Sequence, residues 1–78
     1  MIFKLSSIEI INETDNTKIQ EILENGSKSD KILLTQNINL TAKTFLQLSK
    51  DRDFDIRLSL IGNKSIPFKI LQQMNTKF

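Results

Sequence analysis

The sequence predicts an all-α fold, a small stack of about three two-helix units of 26 residues each, the helices of a unit being α/α or α/3-10. Three observations carry this prediction. The chain matches itself at an offset of 26 residues, its apolar residues recur at helical spacing, and residues that start or stop helices bound the apolar runs. At that offset Leu34 meets Leu60, Asn37 meets Asn63, Lys43 meets Lys69 and Gln47 meets Gln73. Lys31/Arg57, Ile32/Leu58, Leu40/Ile66, Phe45/Leu71 and Leu48/Met74 are conservative pairs in the same register. Carried back once more, the offset sets Ile8 under Leu34, Ile19 under Phe45 and Ile22 under Leu48. Residues 1–78 are expected to form a single helical-repeat domain.

In chain order, residues 2–11 are apolar but interrupted, and their pattern suits a strand as well as a helix. The segment "DNTKIQEILENG" then supplies Asp15 or Asn16 as a cap, Ile19, Ile22 and Leu23 as a buried stripe and Gly26 as a stop. In "TAKTFLQLS", residues 41–49, Thr41 caps an amphipathic helix whose inner face holds Phe45 and Leu48, while Lys43 and Gln47 lie one turn apart on the opposite face. "FDIRLSLI", residues 54–61, alternates like a strand, but the acidic residues before it and Gly62-Asn63 after it favour a helix. Pro67 stands where the next helix opens, a position that needs no backbone donor.

Residues 51–74, "DRDFDIRLSLIGNKSIPFKILQQM", resemble one unit of the leucine-rich repeat variant family, which is related in layout to HEAT-like helical repeats. Asp51, Ile56-Arg57, Leu60-Ile61, Asn63 and Ile66-Pro67 fill the family's places for an aspartate, an aliphatic-arginine step, small and aliphatic residues, an asparagine and a step into proline. Residues 25–48 are similar in part, with Asn25 in the aspartate place, Lys31 for the arginine, Asn37, and Thr41 for the proline; the first third shares only the aliphatic spacing. The resemblance implies that Asp51 and Arg57 tie neighbouring units together, with Asn25 and Lys31 as the counterpart pair.

Composition narrows the chemistry. The chain has no cysteine and no histidine, so it lacks the residues for thiolate nucleophiles, zinc fingers, iron–sulfur clusters, imidazole triads and disulfides. Only Gly26 and Gly62 are available for a phosphate-cradling loop, and no nucleophile–base pair is recognisable, so a non-enzyme without cofactor is expected. No run approaches the ~20 apolar residues of a membrane span, and no cleavage site follows the N-terminal apolar run. A soluble, cytoplasmic protein is the expectation.

Asp51, Asp53 and Asp55 imitate the opening of a calcium loop, but Ile56 and Gly62 stand where that loop needs glycine and glutamate. The three acids are better placed to cap a helix at a seam between helices. Charge is uneven, with two lysines against five acids over residues 1–26 and nine basic residues against four aspartates over 27–78.

Stacking equivalent helices lines up Lys43 with Lys69 and Gln47 with Gln73, near Lys50 and Arg52, and these six residues are the expected partner-binding strip. The expected function is a protein-binding module, an adaptor or an inhibitor or immunity-type protein that occupies a partner's surface. The alternative is a nucleic-acid-binding accessory protein using the basic two-thirds, disfavoured by the absence of Trp and Tyr and by an expectation that the five Phe lie mostly on buried stripes. Apolar residues near both termini, Ile2, Phe3 and Leu5 at one and Ile70, Met74 and Phe78 at the other, also suggest a homodimer through an exposed end.

Overall fold

The computed structural model describes residues 6–75, and over them the chain is all-α: α1 (Ser7–Asn12), α2 (Asn16–Asn25), α3 (Lys28–Leu34), α4 (Ala42–Ser49), α5 (Phe54–Ile61) and α6 (Phe68–Asn75). Local chemistry sets most of these boundaries. The Ser6 hydroxyl accepts the Glu9 N–H while the Glu9 carboxylate accepts the Ser6 N–H, a reciprocal cap that makes residues 7–12 a helix and settles part of the ambiguous N-terminal stretch. Ser27 and Asp30 repeat the device at α3. The Asp15 carboxylate caps α2 by accepting from Thr17 and Lys18, and the Thr41 hydroxyl caps α4 by accepting from Thr44. At α6 the Pro67 carbonyl accepts from Ile70 and Leu71, so the proline sits at the mouth of the helix as its missing N–H requires.

The two glycines end their helices in different ways. Neither has positive φ. Gly26 is fixed by crowding, because a Cβ there would lie 2.5 Å from the Ile22 carbonyl oxygen. At Gly62 the nearest atom to such a Cβ would be the Ser59 carbonyl oxygen at 3.6 Å, an ordinary contact.

Helices α1, α3 and α5 pack side by side in chain order, α4 packs on α6, and α2 and α4 lean across onto α3 and α5. The result is elongated, 41 × 21 × 17 Å. Its core runs the length of the molecule through Ile10, Leu34 and Leu60 on the first row, and Ile19, Ile22, Phe45, Leu48, Ile70 and Met74 on the other helices. The 26-residue offset reappears in the helices, since α3 and α5 start 26 residues apart, as do α4 and α6 and also α2 and α4. It fails at α1. Ile8, expected under Leu34, is 74% exposed, and Ile10 takes the buried place instead. The connection differs there as well, with three residues between α1 and α2 against seven between α3 and α4.

Two buried asparagines fasten successive parts of the stack. The Asn37 amide donates to the carbonyls of Ile10 (2.9 Å) and Glu13 (2.8 Å), while its oxygen accepts the Asn39 N–H. One offset later the Asn63 amide donates to the carbonyls of Thr35 (2.7 Å) and Asn37 (2.9 Å), and its oxygen accepts the Ser65 N–H. Each amide thus closes its own turn and donates to two carbonyls of the preceding turn.

Candidate interaction surface

The acidic cluster at 51–55 is a seam. The Asp51 carboxylate accepts the Asp53 N–H and the Asp53 carboxylate accepts the Asp55 N–H, each at 2.8 Å, so two of the acids build the entry to α5. Lys28, at the start of α3, reaches across with its Nζ 2.7 Å from Asp55 and 3.3 Å from Asp53. A lysine already fills the position a cation would take, and no group of three acidic residues among the described ones is arranged to hold a metal. The pairing moves both partners: hydrogen bonds from Lys28 to Asp55 and Asp53 hold the lysine pKa above its ordinary value. Desolvation alone would raise the Asp53 pKa, but the Asp55 N–H and Lys28 together hold it below the ordinary 3.8.

Arg57, on α5, does meet Asp51 of the connector before it, though within one unit and not between units. The guanidinium donates to the Asp51 backbone carbonyl and lies 5.6 Å from the centre of the Phe54 ring, so no Asp51 carboxylate–Arg57 bridge forms. The counterpart Asn25 and Lys31 side chains make no hydrogen bond or ion pair with each other. The ties between units run through Asn37, Asn63 and Lys28, not through the four residues the resemblance implied. The sequence did signal two of these, as an identical polar pair inside an otherwise apolar register. Its meaning was missed because a buried amide with three partners cannot be told from a surface asparagine without the fold.

The six expected partner-binding residues are all exposed. Lys43 and Lys69 are the second residues of α4 and α6 and Gln47 and Gln73 the sixth, so each pair occupies the same helical position. Lys50 and Arg52 stand in the connector between α4 and α5. Lys43, Lys50, Arg52 and Lys69 form no ion pair within the described residues, leaving their donors available to carboxylate, phosphate or carbonyl groups of another molecule.

Two expectations about apolar residues are overturned. Ile70 and Met74 do not form an exposed end; both are buried, because they lie on the inner stripe of α6, while Ile2, Phe3, Leu5 and Phe78 fall outside the described residues. Nor are the phenylalanines among the described residues mostly buried. Phe45 is, but Phe54 is 49% and Phe68 72% exposed. In α5 the strand-like alternation, wound into a helix, splits into two stripes: Ile56 and Leu60 face the core and Phe54 and Leu58 face away from it.

No protein-family model, curated protein or solved structure matches this chain. Among the described residues no helix is long and apolar enough to cross a membrane.

Proposed function

We propose that this chain is a non-catalytic protein-binding module, a helical-repeat adaptor or inhibitor that acts by occupying a partner's surface. The observation that carries the proposal is the division of labour among its side chains. The buried asparagines Asn37 and Asn63 are spent on carbonyls of neighbouring turns, while the exposed side chains of Lys43, Gln47 and Lys69 make no hydrogen bond or ion pair among the described residues and the apolar Leu58 and Phe68 are 51% and 72% exposed. Such a surface suits recognition of an extended protein face and offers no constellation for bond making. The kinship with leucine-rich repeat variant and HEAT-like repeats belongs to the same proposal, supported by the two rows of short helices at a 26-residue offset.

Affinity capture of the tagged protein from its host's lysate, with and without nuclease and at two salt concentrations, tests this function. A stoichiometric protein partner that survives nuclease supports it. Loss of all captured material on nuclease or added salt would instead assign the basic face to phosphate and overturn it.

A further inference from the structure

Asn25 is the only asparagine in the sequence that is followed by glycine. It is the last residue of α2, it is exposed, and its side chain makes no hydrogen bond or ion pair among the described residues. This pairing carries a chemistry of its own. The main-chain nitrogen of the following residue can attack the side-chain carbonyl carbon of an asparagine, and the approach is least hindered when that following residue has no side chain.

The fold demands the glycine and restrains the reaction at once. A Cβ at position 26 would lie 2.5 Å from the Ile22 carbonyl oxygen and 3.1 Å from the Ile22 Cγ2, so the turn between α2 and α3 favours the one residue that leaves Asn25 open to attack. The nucleophile, however, is already committed. The Gly26 N–H donates to the Ile22 carbonyl at 2.8 Å and closes the last turn of α2. Attack requires that bond to break, which at a helix end happens by fraying. Ser27 begins α3 with its own reciprocal cap, so the opening can stay confined to the final turn of α2.

We propose that Asn25-Gly26 is a self-modifying site, at which the chain converts Asn25 to aspartate and isoaspartate through a cyclic imide at a rate gated by opening of the last turn of α2. The Gly26 nitrogen gives up its proton and bonds to Cγ of Asn25, the Cγ–Nδ2 bond breaks, and the nitrogen leaves with that proton as ammonia. Water then adds to one of the two imide carbonyls and opens the ring. No oxidant or reductant takes part, and water is the sole co-reactant. Either product puts a carboxylate at the C-terminal end of α2, where the helix dipole disfavours it, and isoaspartate also adds a methylene to the main chain directly before the crowded Gly26. The modified chain is a loosened form of the α2–α3 junction.

The test incubates the intact protein in mildly alkaline buffer, with and without urea, and follows it by peptide mass mapping and by enzymatic methylation of isoaspartate. The peptide holding Asn25 should gain the mass of an amide-to-acid exchange before those holding Asn12, Asn39 or Asn63, and at least about tenfold more slowly in the native protein than in urea. Asn25→Gln, at an exposed position, should keep the helical spectrum and lose both the mass gain and the isoaspartate, because its carbonyl carbon stands one bond further from the Gly26 nitrogen. Modified molecules separated by ion exchange should unfold at lower urea than unmodified ones. Earlier conversion at another asparagine, native protein left intact after the unfolded chain has reacted fully, or isoaspartate that persists in Asn25→Gln would overturn the proposal. Equal rates with and without urea would also overturn it, since α2 would then gate nothing.

Discussion

Asn37 and Asn63 are the residues on which the stack depends most specifically, because each satisfies two backbone carbonyls of another turn in a buried setting. Asn63→Asp keeps the shape and the acceptor but removes the amide donor, leaving the Thr35 and Asn37 carbonyls facing a carboxylate. A loss of about 2–4 kcal/mol is expected by urea denaturation, with a similar loss for Asn37→Asp. A loss below about 0.5 kcal/mol would mean the amides are dispensable. The glycines separate two kinds of helix end. Gly26→Ala forces a methyl against the Ile22 carbonyl and should cost about 1–3 kcal/mol, whereas Gly62→Ala meets no obstacle and should be neutral or stabilise by up to about 1 kcal/mol. Thermal unfolding of the two variants side by side checks the contrast.

At the scale of elements, the helices are short, and their caps carry much of the information that places them. Ser27→Ala removes the hydroxyl half of the α3 capping box and should cost about 1 kcal/mol in denaturant. The α3–α5 seam adds a pH signature. Asp53 and Glu9 have lowered pKa values, so their contribution is present above the ordinary values of 3.8 and 4.5 and is lost as pH falls through the lowered ones. Lys28 has a raised pKa, so its contribution is complete below 10.5 and is lost as pH rises through the raised value. Denaturant midpoints should therefore be flat at intermediate pH and fall at both extremes. Lys28→Met should shallow the alkaline limb and weaken, without removing, the acid one, which also holds Glu9. The capping residues Asp15, Thr41 and Gly26 and the stripes Ile19/Ile22 and Phe45/Leu48 were legible in the sequence because they act within one turn of the chain. The register of α1 was not, since it depends on where that helix stops, which the sequence does not mark. The outward stripe of α5 was hidden for another reason: alternation states that both sides of a helix are apolar but not which side is covered.

As a whole molecule the protein is an elongated double row of helices whose surfaces follow from its register. Lys43 and Lys69, like Gln47 and Gln73, hold equivalent positions on α4 and α6, an equivalence readable from the offset alone. The claim beneath all of this is that Asn37 and Asn63 bind consecutive parts of the chain into one stack, and hydrogen exchange of their side-chain amide protons, followed by NMR, tests it most directly. Buried and doubly bonded, these protons should exchange only through global unfolding, with protection matching that of the Leu34 and Leu60 backbone amides. Exchange at the rate of exposed asparagine amides would contradict the ladder, and with it the alignment of every surface built upon it.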